Sequence, residues 1–344
     1  MTTDLTSWTG SPGVQRRASF VKFATDEAHV EAREPEGDLI PPTVDAAALR
    51  DHLSDLGKDF GLELKILTGR RRYRDSTDFH FDHRQTWCDV RLFSGNRSYN
   101  VSVRDGTDDV VLLPNLLAGM AQELLTQRER RSLPVYRIPH SSTVVLRPNL
   151  AGILVHELIG HLLEETDPKH VGPKGFSVEA QGPPGRAFDD FGEPVQHLFL
   201  VKDGVVSRRD RRERGRGFAQ AGWHQGPPIV RFTDLTVSSC TSSGAMPQDE
   251  FVVCHRSRGA ELVGQRALVS VDDAELVRDG VTVGRLRPFL FTVDAEGLTE
   301  TMVALLGNSV PGRAGMCVKA GQSLPTRVTS PSIVLNRVAL YEIA

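Results

Sequence analysis

Cysteine is scarce in this chain: Cys88, Cys240, Cys254 and Cys317 are the four among 344 residues. That is too sparse for a disulfide framework and favours a reducing, cytoplasmic compartment. No charge of either sign dominates, with 41 Lys plus Arg against 44 Asp plus Glu and a formal net charge of −3. A chain so balanced has no global field to draw in nucleic acid or an anionic membrane. Long apolar runs are missing too. The most apolar windows, 112–125 and 150–163, carry polar or ionisable residues and fall short of the roughly 20 residues that span a bilayer. The N-terminal stretch Met1–Trp8 lacks a basic segment followed by an apolar one, so no secretory leader is expected. Internal repeats and low-complexity tracts are absent. Among the basic residues lysine is rare, and the one dense arginine cluster, 208–216, is broken by acids and glycines.

What is present is ordinary globular composition, 39% hydrophobic and 25% charged, at a length that suggests two domains. Residues 1–42 are polar and rich in Gly, Pro and acids, and read as a partly ordered arm. Apolar residues at helical spacing over Val44–Leu56 and Pro114–Arg128 predict helices, the second with Leu116, Leu117, Met120, Ala121, Leu124 and Leu125 on one face. Leu62–Leu67, Thr77–Phe81, Trp87–Phe93 and Tyr99–Arg104 predict strands. Residues 43–135 thus form a small α/β domain, partly antiparallel. A proline-rich stretch from Ser132 to Pro139 separates it from residues 136–344. There Thr143–Leu146 predicts a strand and Leu150–Glu165 a helix. Short apolar runs between Gly/Pro turns follow, which suggest a β-rich sandwich or irregular barrel. The fold class is therefore α+β. The arginine cluster reads as a solvated loop or, more sharply, as a clamp on an acidic group of a substrate.

Chemistry concentrates in Leu154-Val-His156-Glu157-Leu-Ile-Gly160-His161-Leu-Leu-Glu164. Two His and a Glu inside an apolar helix are expensive to bury unless they bind something. The zinc-protease pattern His-Glu-x-x-His sets its imidazoles four residues apart, on one helical face. Here the spacing is five, which in a regular α-helix turns the two rings about 140° apart. Either the rings lie on different faces as ordinary core or surface residues, or the helix carries a π-bulge that brings them to one metal. Gly160 is where such a distortion costs least.

His156-Glu157-x-x-x-His161 resembles the signature of the TldD/PmbA family of metalloproteases, and the likeness extends from about residue 140 to the C-terminus. Upstream, Thr143–Val155 leads into the motif as that family's strand, turn and helix do. Downstream, Arg186-Ala-Phe-Asp189-Asp190-Phe-Gly192 and Leu200-Val-Lys-Asp203-Gly204 resemble its glycine-rich turns with paired acids. Pro228-Ile-Val-Arg231-Phe-Thr233-Asp234-Leu235 resembles its Pro-x-x-Arg-x-Thr-Asn-Leu segment. Near the end, Cys317-Val-Lys319-Ala-Gly321-Gln322-Ser323-Leu-Pro325 resembles its Cys-Gly-Lys-x-Gly-Gln-Ser-Val-Pro block. Departures are Val318 for the glycine after the cysteine, Leu162-Leu-Glu164 for Gly-Leu-Glu, and a shortened N-terminal domain.

The resemblance implies a Zn2+ ion held by His156, His161 and Cys317, a fourth position open to water, and Glu157 as general base. Glu164 is either a carboxylate that holds an imidazole tautomer or a helix-surface acid. The remaining Cys read as small buried hydrophobes. His170, His197, His224 and His255 carry no assigned chemistry, His224 being the substitute if a ligand were missing. The implied activity is a metallopeptidase or amide hydrolase acting on short or unfolded peptides bound as an added strand, alongside a PmbA/TldE-type partner subunit or as a homodimer. Two alternatives are a dedicated amide hydrolase in natural-product biosynthesis and a metal-stabilised scaffold subunit without catalysis.

Overall fold

The computed structural model describes residues 14–23, 28–29, 60–74, 80–95, 97–104, 113–182, 186–207, 211–221, 228–239, 244–312 and 315–343. The N-terminal part is a five-stranded antiparallel sheet, in the order Ala28–His29, Val14–Phe23, Phe60–Arg74, His80–Ser94, Arg97–Arg104. Its two central strands pair without a break from Phe60↔Ser94 to Arg74↔His80. Each extends well past the apolar run that predicts it. Val90 and Leu92, and Tyr99 and Val101, are buried at every second position, the period of a sheet with one covered face, and Phe60 and Leu62 are buried on the neighbouring strand Phe60–Arg74. Val14–Phe23 falls in the stretch read as an arm, yet it forms a strand along Phe60–Arg74. The predicted helix over Val44–Leu56 lies outside the described residues.

Next comes the helix Leu113–Arg131, which buries Leu117, Met120, Ala121 and Leu124 at helical spacing. Leu125, expected on that face, points outward and is 41% exposed. From the last turn Arg130, 7% exposed, reaches Asp273 on the strand Arg266–Arg278 and Glu123 on its own helix. This buried, multiply bonded pair fastens the N-terminal part to the C-terminal sheet.

Among the described residues that C-terminal sheet is one mixed sheet of fourteen strands. Many of the apolar runs are the buried cores of longer strands. Phe251–Val263 and Arg266–Arg278 form a hairpin turned at Gly264, whose φ of 63° favours glycine. Gln322–Ala339 holds the centre, parallel to Asp234–Ser239 and antiparallel to Ser141–Leu146, Met302–Pro311 and Gly315–Lys319. Ser141–Leu146 also runs parallel to Phe251–Val263.

The chain turns from Ser141–Leu146 straight into the helix Pro148–Val155, with proline in its first turn, where a missing N–H costs nothing. Leu150, Ala151, Gly152, Leu154 and Val155 are all buried, so this helix is apolar on nearly every side and belongs inside the core. At Gly152 an added Cβ would stand 3.0 Å from Val328 Cβ, which sets how closely the helix meets the central strand. Among the described residues no helix is long and apolar enough to cross a membrane.

Candidate metal centre

After Val155 the helix changes pitch. His156–His161 is a π-helical turn, and α-helix resumes over Leu162–Glu165. A π turn bonds residue i to i+5, so residues five apart stack as residues four apart do in an α-helix. The two imidazoles accordingly meet edge to face, with ring centroids 4.8 Å apart at 68°. Gly160 lies inside this turn, but steric need does not account for it. A Cβ there would find only ordinary contacts, at 3.5 Å from His156 Nδ1 and 3.6 Å from Phe232 O.

The hairpin Gly315–Lys319 with Gln322–Ala339 carries Cys317 to the same point, 156 residues along the chain from His161. Cys317 Sγ lies 3.1 Å from His161 Nε2, and one ligating atom from each of His156, His161 and Cys317 falls within 4.8 Å of the others. All three residues are buried.

Each member has a different electrostatic setting. His161 Nδ1 lies 3.0 Å from Glu164 Oε2. A carboxylate there accepts the Nδ1–H, which turns the lone pair of Nε2 toward Cys317. Glu164 is no helix-surface acid. Its side chain is 1% exposed, its Oε2 also accepts from Lys319 Nζ at 2.6 Å, and its Oε1 accepts from the backbone N–H of Phe232 at 2.8 Å. Burial pushes this carboxyl up, but bonding to His161 and the charge of Lys319 hold it down at about 2. Opposing contributions also act on Cys317. Burial raises the thiol, the two imidazoles outweigh it, and the group settles at about 5.

Arg231 completes the surroundings of the sulfur. It is fully buried, and its Nη2 donates to Cys317 Sγ at 2.6 Å and to Cys317 O at 3.2 Å. Sequence reasoning placed Arg231 only within a segment of family likeness and missed this contact. The same holds for Lys319 and its pairing with Glu164. A Pro-x-x-Arg-x-Thr segment paired with a Cys-x-Lys block was the available signal.

His156 is the test of whether a metal fits. Both of its ring nitrogens are buried and have no hydrogen-bond partner among the described residues. An imidazole buried without a partner is costly, and a metal ligand bond supplies one. Two imidazoles and a thiolate form a donor set suited to a borderline-soft ion such as zinc. The residues fit the group.

The centre opens on a cavity of about 640 Å3 lined by His156, Glu157 and Cys317, with Ser98–Asn100 of the N-terminal sheet on its wall. Glu157 Oε2 stands 3.8 Å from His161 Nε2, and burial raises the Glu157 carboxyl above its ordinary range.

Other residues singled out from the sequence do other work. Arg214, from the arginine cluster, is buried and donates to the carbonyls of Leu163 (3.2 Å) and Thr166 (3.0 Å) and to Asp167. It caps the C-terminal end of the histidine-bearing helix, where free carbonyls and the helix dipole favour a cation. The expected solvated loop or substrate clamp is thus corrected at this position. Arg212 and Arg216 are exposed, and residues 208–210 lie outside the described set. Asp189 accepts from the backbone N–H groups of Phe191, Glu193 and Ala219, and Asp190 from Arg186 and Ala221, so the paired acids organise a loop. Burial pushes the Cys254 thiol far up, as befits a small hydrophobe. His197 pairs with Glu179 and His255 with Glu275. Cys88 lies on the strand His80–Ser94. Cys240 and His224 fall outside the described residues.

No protein-family model matches the chain. A metalloprotease of Synechocystis sp. is 26% identical to it, over 86% of this chain and 73% of its own length. TldE from Thermococcus kodakarensis superposes with a TM-score of 0.60 at 12% identity, covering 95% of each chain. A candidate modulator of a DNA gyrase from Thermotoga maritima gives 0.60 at 12%, over 95% of this chain and 94% of its own. Another such candidate modulator, from Bacteroides thetaiotaomicron, gives 0.55 at 13%, over 91% and 76%. These structural likenesses show the fold.

Proposed function

We propose that the chain, which shares the fold of TldE and carries motifs in the order of the TldD/PmbA family, is a zinc-dependent peptidase of that family acting on short or unfolded peptides. The observation that carries this reading is the meeting of His156, His161 and Cys317 at the wall of a cavity, with both His156 nitrogens lacking partners among the described residues. A relative named as a metalloprotease supports the reaction class. Three protein ligands beside an open cavity suit a catalytic centre better than a closed structural one.

When bound, zinc would bring a water's pKa toward neutral and polarise the carbonyl of the amide to be cleaved. The chain's own residues supply the rest. Glu157, in the cavity wall and with its carboxyl raised by burial, takes a proton from the attacking water on its carboxylate and returns it to the departing amine nitrogen. Glu164 keeps the His161 proton on Nδ1. Arg231 draws negative charge from the Cys317 sulfur, offsetting the electron donation by which a thiolate would dull a metal's pull on the carbonyl. A cavity of about 640 Å3 admits an extended peptide of a few residues and excludes a folded domain.

The same likeness supports assembly with a TldE-type partner or with a second copy, and the scarcity of cysteine in the sequence supports a cytoplasmic setting. Metal analysis of the chain purified without a histidine tag tests the reading. We expect about one zinc per chain, lost in Cys317→Ser, as three-ligand thiolate-containing sites bind tightly. If neither sample takes up zinc when it is offered, the metal reading fails.

A further inference from the structure

Beside the metal cavity lies a smaller one, of about 130 Å3, and the two share Arg256, Arg258 and Asp272 as lining. The shared wall is an irregular piece of the hairpin. Pairing between Phe251–Val263 and Arg266–Arg278 slips repeatedly from Cys254 to Gly259, where φ reaches 146°. Bulges of this kind re-aim side chains beside functional sites.

The small cavity is strongly cationic. Four arginines line it, Arg131, Arg256, Arg258 and Arg285, against two acids, Asp272 and Asp273. Both acids are already engaged. Arg256 holds Asp272 through two guanidinium bonds, Nε to Oδ1 at 2.9 Å and Nη2 to Oδ2, and Asp273 receives Arg130. Arg258 Nε stands 3.6 Å from Asp272, beyond hydrogen-bond length, and its side chain is largely exposed. The lining therefore keeps an excess of positive charge.

Two buried donors point the same way. Gln127 is 2% exposed, and its Nε2 has no hydrogen-bond partner among the described residues. Nor does Arg285 Nε, on the strand Val281–Leu286 across the cavity. Each such buried donor is costly until an acceptor arrives. Water would satisfy the donors and leave the charge uncompensated. A carboxylate does both, and it suits planar guanidinium donors.

We propose that this pocket receives a carboxylate of the peptide, from an acidic side chain or the chain terminus, and so makes the site next to it selective for acidic peptides. The proposal rests on the peptidase reading. Its size admits one short acidic group and leaves no room for a second residue.

The test uses the zinc-loaded full chain carrying Glu157→Gln, so that bound peptides persist, and calorimetric titration with three peptides. Acetyl-Ala-Ala-Glu-amide offers a side-chain carboxylate, acetyl-Ala-Ala-Ala with a free terminus offers the terminal one, and acetyl-Ala-Ala-Gln-amide offers neither. We expect one of the acidic peptides to bind about tenfold more tightly than the neutral one, the gain of one charge-assisted contact. Which of them does so identifies the source of the carboxylate. Arg285→Gln, at a residue that lines the small pocket and not the metal cavity, should reduce that preference to about twofold or less while neutral-peptide affinity and zinc content stay unchanged, and Arg258→Gln should reduce the preference likewise. Equal binding of all three peptides, or a preference that survives both substitutions, overturns the pocket and leaves the peptidase reading standing. Failure of every peptide to bind overturns both.

Discussion

Glu164→Gln isolates the charge that orients the metal centre, since it keeps the volume of the side chain and removes only its negative charge. The native carboxylate serves three donors at once: His161 Nδ1 at 3.0 Å, Lys319 Nζ at 2.6 Å and the Phe232 N–H at 2.8 Å. They approach from two sides, the first two at Oε2 and the third at Oε1. An amide has one oxygen and one NH2 group, so whichever way it turns, an N–H faces donors on one side. If the oxygen stays with Phe232, His161 and Lys319 lose their acceptor, although Lys319 retains Glu165 at 3.0 Å. If it turns the other way, the buried Phe232 N–H is orphaned. With at least one buried donor unpaired and a charge-assisted bond gone, the metal-free fold should lose about 2–4 kcal/mol. Zinc affinity should fall about 10- to 100-fold, as the His161 ring is no longer held in one tautomer. Urea unfolding measures the first quantity, and competition against a chromophoric zinc chelator the second. Lys319→Met is the companion variant. It leaves His161 and Phe232 served and should cost less on both counts. A Glu164→Gln chain whose unfolding midpoint and zinc affinity match the parent would refute the role given to this carboxylate.

Glu157→Gln should retain zinc while peptide hydrolysis falls by about 10²–10⁴, the contribution of a positioned general base; equal turnover with the parent would remove Glu157 from the proton path. Gly160→Ala should keep both zinc and fold, because the added Cβ meets nothing closer than 3.5 Å. Gly312→Ala should cost about 1–3 kcal/mol in urea unfolding, since its Cβ would stand 2.4 Å from the backbone oxygen of Val328 on the strand that leads back from the Cys317 hairpin. Equal stability of the two glycine variants would contradict this packing. Bonding to His255 at 3.0 Å depresses the Glu275 carboxyl. A depressed carboxyl adds stability above its unfolded pKa that fades as pH falls through the folded one. His255→Gln should therefore cost up to about 1 kcal/mol near pH 6, and the gap to the parent should close below pH 4 or so. A gap that widens in acid would reverse the assigned sign.

Sequence alone determined those features whose cause is local. The spacing of His156, Gly160 and His161 required either two separate faces or a helix of altered pitch, and the structure has the π turn. Short runs of apolar and β-branched residues in Leu62–Leu67 and Trp87–Phe93 marked strands, and helical spacing marked Leu113–Arg131, since short-range patterns are written in neighbouring residues. Strand lengths were less legible. Positions facing solvent are polar and read as turn, which is why Phe251–Val263 and Gln322–Ala339 exceed their apolar cores. Val14–Phe23 was hidden for another reason: it is a strand by virtue of its pairing with Phe60–Arg74.

Only the tertiary structure decided what converges. A cysteine 156 residues past His161 reaches it because the Gly315–Lys319 hairpin and the histidine-bearing helix both pack on the central strand Gln322–Ala339. The same packing turns Glu164 inward onto Lys319, sets Arg231 on the sulfur, and sends Arg214 from a cluster that looked solvated to the end of a buried helix. No run of neighbouring residues encodes these outcomes. Cys317 and Lys319 depend on the strand register of Gly315–Lys319, which is set collectively by the burial of whole faces, and a slip of one residue would send both side chains to the other side.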